Sequence, residues 1–171
     1  MSKDYFFSNV EELIAYLYTK KETISPLKLQ KGLYFLYAYY TAMFGFKDND
    51  IQEMIEQTYD DLPAELFPAA FEAWYYGPVI SQVHTKYRQG EDYYRNLAQN
   101  FKKGSYFKSE SEKQVQAFID KLFNTVLKSS DFGLVDRSHE DQAWKKTFAK
   151  GKASLIDTQS IIEEYETKFT R

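Results

Sequence analysis

The sequence predicts a mainly α fold: a compact single-domain helical bundle around a central buried helix, with room for a small β element near residues 71–76. Three observations carry that prediction. Apolar residues recur at helical spacing in segment after segment. The stretch from Ser25 to Phe44 is apolar on nearly every face, as suits a helix enclosed by others. An aromatic share of 18%, with 15 Tyr and 14 Phe in 171 residues, supplies the bulk for one core.

The elements follow in order. Ser8 and Glu11 have the S-x-x-E spacing of a capping box, and Val10, Leu13, Ile14 and Leu17, with Tyr18 beside them, form the stripe of a first helix. Lys20 to Thr23 is a turn. Ser25-Pro26 starts the central helix: Ser caps it, and Pro sits where its missing N–H costs nothing. That helix is expected to end near Phe44, at Gly45. Leu29, Leu33, Leu36, Tyr37, Tyr40, Met43 and Phe44 share its wide arc; Lys28 and Lys31 mark the other side, along with Phe35, Ala38, Tyr39 and Ala42. Gly32, unfavourable in mid-helix, predicts a close approach by another element.

Asp48 to Asp61 is acidic, with a weak helical period in Ile51, Met54 and Ile55 that reads as a short surface helix. Pro63 and Pro68 break the chain, Phe71 to Tyr76 reads as a small strand, and Gly77-Pro78 as a turn before a helix from Val79 to Arg88. Glu91 to Ser109 reads as irregular, its rings tucked in and its lysines outward. Ser111 to Lys128 is an amphipathic helix burying Val115, Phe118, Ile119, Leu122, Phe123 and Val126. Asp131-Phe132-Gly133 reads as a turn. Ser138 and Asp141 read as the capped start of a helix to Ala149, with Trp144 and Phe148 paired four apart. Asp157 caps a last helix that turns Ile161, Ile162, Tyr165 and Phe169 inward.

Composition narrows the function. A formal charge of −3 speaks against a nucleic-acid partner, which needs a basic surface. No cysteine is present, so disulfides, Cys-ligated metals and thiol nucleophiles are excluded. With two histidines and no Gly-rich phosphate loop, no metal, no cofactor and no catalytic residue is expected. Met1 to Asn9 has no apolar signal core and no run reaches membrane-spanning length, so a cytoplasmic protein without a membrane partner is expected.

Three motifs go further: Lys28-Leu29-Gln30-Lys31 with Leu33 and Tyr34; Ala73-Trp74 with Tyr76-Gly77-Pro78-Val79; and Ser138-His139 with Trp144. Together and in this order they resemble the Panacea domain, the SocA-like antitoxin family also met in phage-associated proteins of the GepA type. The motif-bearing part spans about residues 8–149, and the whole chain, 1–171, reads as one such domain. The resemblance implies an antitoxin, in some cases prophage-encoded, that neutralises a cognate protein toxin by direct binding. It also implies an alternative, a proteolytic adaptor or phage regulatory protein whose partner is a host protease or other host factor. An enzyme of unknown chemistry, using His139 and Glu140, is the remaining reading; no nucleophile motif supports it.

The residues singled out as motif core or partner-binding positions are Lys28, Gln30, Lys31, Tyr34, Phe35, Tyr39, Trp74, Tyr76, Gly77, Pro78, His139 and Trp144. Trp74 and Tyr76 either plug the core, the expected outcome for aromatics on a short apolar run, or form a toxin-contacting edge. Lys28, Gln30 and Lys31 either build a structural polar network, with Glu72 or Glu140 as the compensating acids, or hold a partner carboxylate. Gln30 falls on the buried arc and needs hydrogen-bond partners there. Phe35 and Tyr39 are interface anchors if exposed and core if covered. His139, Glu140 and Asp141 read as a capping cluster with the imidazole bonded internally.

Overall fold

A computed structural model describes residues 4–45 and 61–170, with side chains to Lys168. The first helix, α1 (Val10–Lys20), opens on Asn9. The Asn9 side chain accepts the Glu12 N–H at 3.1 Å, and Glu12 accepts the Ser8 N–H at 2.6 Å. The box expected of Ser8 and Glu11 is therefore built one residue further on, because Asn caps as well as Ser. α1 buries Val10 and every residue from Leu13 to Tyr18.

The central helix, α2 (Pro26–Met43), starts where Ser25-Pro26 predicts, with Ser25 Oγ accepting the Lys28 N–H at 3.1 Å. Every residue from Leu29 to Ala38 is buried. Lys31 is among them, so the face it was expected to mark as polar is enclosed. Met43, placed on the buried arc by its spacing, is exposed where the helix ends; Phe44 caps the helix and folds in instead. At Gly45 a Cβ would stand 2.0 Å from the Ala64 carbonyl oxygen, so only glycine lets the two segments pass.

The chain before the sheet is tied to the N-terminus: the Phe6 and Phe7 N–H groups donate to the Glu65 and Leu66 carbonyls at 3.0 and 2.8 Å. The sheet is β1 (Phe71–Trp74), β2 (Gly77–Ile80) and β3 (Ser154–Leu155), antiparallel, with β1 in the middle. Trp74 pairs with Gly77, so the turn is Tyr75-Tyr76 and not Gly-Pro; Gly77 opens β2. Its φ of +109° and a Cβ position 2.4 Å from Ser138 Oγ both demand glycine. The helix expected from Val79 begins two residues later, as α3 (Ser81–Arg88), because Val79 and Ile80 are held in the strand.

Glu91 to Ser109 is more regular than expected. α4 (Asp92–Gln99) packs on α1 through Tyr94, with Leu97, Ala98 and Phe101 against the core, and a 3-10 turn (Lys103–Ser105) follows. Phe107 is buried while Lys102, Lys103 and Lys108 are exposed, as read from the sequence. α5 (Glu110–Lys128) carries the reciprocal capping box of Ser109 and Glu112; it buries Val115, Ile119, Phe123 and Val126 and half-buries Phe118 and Leu122.

Asp131-Phe132-Gly133 is the first turn of α6 (Asp131–Ser138), not a loop: Ser130 Oγ accepts the Gly133 N–H at 3.0 Å. Ser138 ends that helix, and its hydroxyl donates to the Val135 carbonyl at 2.8 Å. α7 (Gln142–Lys150) then starts at Asp141, which makes no side-chain cap. Glu164 of α8 (Thr158–Thr170) caps it from across the fold, accepting the Gln142 and Ala143 N–H groups at 2.8 and 2.9 Å. Asp157 accepts the Gln159 N–H at 3.1 Å at the start of α8, and Ile161 and Tyr165 are buried while Ile162 is half-buried. The expected helix over Asp48 to Asp61 lies, Asp61 apart, outside the described residues, as does the Phe169 side chain.

Candidate functional site

The hairpin formed by β1 and β2 is held by side chains at four backbone positions. Gln30, on α2, grips Ile80 twice: its Nε2 donates to the Ile80 carbonyl at 3.1 Å, and its Oε1 accepts the Ile80 N–H at 2.9 Å. The amide thus stands in for the next strand of the sheet. Lys31 Nζ donates to the Pro78 carbonyl at 2.9 Å. From α7, Trp144 Nε1 donates to the Trp74 carbonyl at 2.9 Å. His139 Nε2 lies 2.9 Å from the Tyr75 carbonyl, which places the proton of a neutral ring on Nε2. The imidazole stacks on Trp144 (4.0 Å, 15°), and Trp144 stacks on Phe148 (4.9 Å, 16°), the pair expected from their spacing.

The lysine pair splits. Lys28 Nζ is half-buried, donating to the Leu127 carbonyl at 3.2 Å with Asp131 at 3.9 Å. Lys31 is fully buried, and burial pulls its ammonium down to about 7. Neither acid proposed as its counterweight serves it. Glu72 accepts from Trp74 Nε1 at 2.9 Å, and Glu140 is exposed. A carbonyl takes their place because the Gly77-Pro78 segment lies directly over the lysine, with the Lys31 Cε 2.8 Å from where a Gly77 Cβ would be.

Asp141 is no cap but the hub of a buried network. Its Oδ2 accepts from Tyr34 and Tyr165, each at 2.5 Å; its Oδ1 accepts from Arg137 at 2.8 Å and Lys168 at 3.0 Å. Burial alone would raise this carboxyl; the bonds from Tyr165, Tyr34, Arg137 and Lys168 outweigh it and hold the group below its ordinary range. Phe35 is covered, with the Arg137 guanidinium 5.4 Å above its ring, and Tyr39 packs edge-on against Tyr165 at 5.1 Å. Phe35 is core, and Tyr39 is half-buried against it.

The hairpin tip is the opposite case. Tyr75 is 62% exposed, Tyr76 47% and Phe132, on α6, 58%. Tyr76 meets Tyr75 at 5.2 Å and Phe132 at 5.6 Å, both edge-on, so the three rings form one patch. The expected inward packing therefore fails for Tyr76. Trp74 is half-buried, edge-on to His84 at 4.8 Å. Beside the patch lies a groove of about 590 Å³, lined among others by Leu27, Trp74, Tyr76, Val79 and Ala153. Tyr75 and Phe132 were not singled out in the sequence. A signal was there for the first: three consecutive aromatics, Trp74 to Tyr76, cannot all face one side of an extended chain.

Among the described residues no three His, Asp or Glu side chains gather as metal ligands would, and no helix is long and apolar enough to cross a membrane. What the arrangement offers chemically is a rigidly presented aromatic surface. A family model described as antitoxin SocA-like, Panacea domain, matches residues 29–145, a span that holds Gln30, Lys31, the hairpin, His139 and Trp144. Nothing among the curated proteins or the solved structures matches the chain.

Proposed function

Because the chain belongs to the SocA-like antitoxin family of Panacea domains, we propose that it neutralises a cognate protein toxin by direct binding, in the cytoplasm and without catalysis of its own. One observation supports this reading above the others. The side chains of the three motifs converge to hold a hairpin whose tip, Tyr75-Tyr76, is left in solvent. Folding gains nothing from exposing aromatic rings, whereas an interface does: buried aromatics dominate binding energy. Fixing the hairpin beforehand lowers the entropy lost on association. The mechanism is occlusion, with the aromatic tip covering a working surface of the toxin.

The test is co-expression with the product of the neighbouring gene. That product is expected to arrest growth alone, to be silenced by this chain and to co-purify with it. The double substitution Tyr75→Ser, Tyr76→Ser is expected to abolish silencing while thermal unfolding stays unchanged. A neighbour that is harmless and does not co-purify refutes the reading.

A further inference from the structure

We propose that the groove beside the hairpin is an anchor pocket for a toxin segment that carries an aromatic or long aliphatic side chain with a carboxylate close by; this rests on the antitoxin reading and deepens it. Its walls are almost wholly apolar: Pro26 and Leu27 from the first turn of α2, Trp74 and Tyr76 from the hairpin, Val79 at the base. A volume of about 590 Å³ accepts a large side chain with part of its backbone. Gln30 forms part of the lining, and the bonds that engage it also fix the strand beside it, so the groove exists before a partner arrives.

Charge selects the occupant. No carboxylate lines the groove. The acid beside it on β1, Glu72, is engaged by the Trp74 indole. Lys152 stands exposed on the wall with no carboxylate bonded to it among the described residues, and Ala153 follows it with a φ of +61°, turning the chain into β3. Arg88, also exposed, lies one turn along α3 from His84, another lining residue. An incoming segment thus meets an apolar slot with the Lys152 cation on its wall. A second copy of this chain fits that wall poorly, because a two-fold interface centred on the groove brings Lys152 toward its own counterpart.

The experiment is selection from a random peptide library displayed on phage, against the immobilised full chain, followed by calorimetry on a selected peptide. Enriched peptides are expected to pair a large apolar residue with Asp or Glu. Leu27→Glu is expected to weaken that peptide at least about tenfold, since it puts a carboxylate in the slot. The same change adds an acid to the first turn of α2, where the helix dipole favours it, so the fold is kept. Lys152→Glu, at an exposed position, is expected to weaken binding about fivefold and to turn the selection toward Lys- or Arg-bearing peptides. Three results overturn the proposal: no enrichment, enrichment that Leu27→Glu leaves intact, or a dimer in sedimentation that Leu27→Glu dissolves. The selection uses no toxin, so its failure is separate from a failure of neutralisation, which is read by growth.

Discussion

Lys31 sits where an ammonium is least at home. It is fully buried, the one partner its ammonium bonds among the described residues is the Pro78 carbonyl, and burial lowers its pKa from 10.5 to about 7. In the unfolded chain the amine keeps its proton up to about pH 10.5; in the folded protein it gives it up near 7. Between those values the unfolded state binds more protons, so stability rises with pH across that window. Below pH 7 both states are protonated and the slope vanishes. The tyrosines, raised by burial, pull the other way from about pH 9 upward, where the unfolded chain starts to lose their protons. Urea unfolding between pH 7 and pH 9 is therefore expected to show a gain on the order of 2 kcal/mol that Lys31→Met removes. Equal slopes in the two proteins would mean that the folded lysine keeps its charge. Gln30 shows the converse at the same scale: a buried amide whose donor and acceptor both meet the backbone of Ile80. Truncating it to Ala takes away the acceptor of that N–H and leaves the carbonyl, as N-cap of α3, to the helix alone.

Elements respond to a different substitution. Gly32 lies in the middle of α2, and the close approach it predicted is made by α5, but only to ordinary contact. A Cβ there would stand 3.5 Å from Val126 Cγ1 and 3.7 Å from the Phe123 ring. Glycine is not required, so Gly32→Ala is expected to stabilise the protein by about 0.5–1 kcal/mol, read as a higher urea midpoint at unchanged slope. A fall in midpoint would mean that α5 packs closer than these distances. The same scale shows what the chain disclosed and what it hid. Ser25-Pro26 and the stripe from Val115 to Val126 were legible because caps and periodicity are local. The start of α7 was not, because its cap, Glu164, lies 22 residues downstream of Gln142 and reaches it only once α8 is packed. α6 was masked by Asp131-Phe132-Gly133, whose turn-like composition is overridden by the Ser130 cap. α4 carries a short period in Tyr94, Leu97 and Ala98, obscured by the mixed basic and aromatic composition of the stretch from Glu91 to Ser109. At the site, the motifs named Gln30, Lys31, His139 and Trp144, yet nothing local said that they all take hold of one hairpin.

At the scale of the whole molecule, Asp141 binds the parts together. Its carboxylate meets Tyr34 of α2, Arg137 of α6, and Tyr165 and Lys168 of α8, while its own position sets the start of α7. Asp141→Asn removes the charge that answers Arg137 and Lys168 and leaves one acceptor oxygen where there were two, so that an amide NH2 faces either the tyrosine hydroxyls or the two cations. A loss of about 2–3 kcal/mol is expected in urea unfolding at pH 7, the range for hydrogen bonds to a charged group, since Arg137 and Lys168 are more than a third exposed and water answers part of their charge. The sign with pH follows from the direction of its shift. The folded carboxyl is held below 3.8, so the stability it contributes is complete above the unfolded value and is lost as pH falls through the folded one. Wild type and Asp141→Asn are thus expected to converge in stability as the solution is taken below pH 4. The hairpin is anchored by other residues, so nuclear magnetic resonance of the folded variant is expected to leave the Tyr75 and Tyr76 signals in place. Peptides selected on the wild type are expected to bind the variant equally well wherever it remains folded. A variant as stable as wild type at pH 7 would show that the four helices need no common charge. Loss of the hairpin signals would show that the hub and the binding face are one cooperative unit.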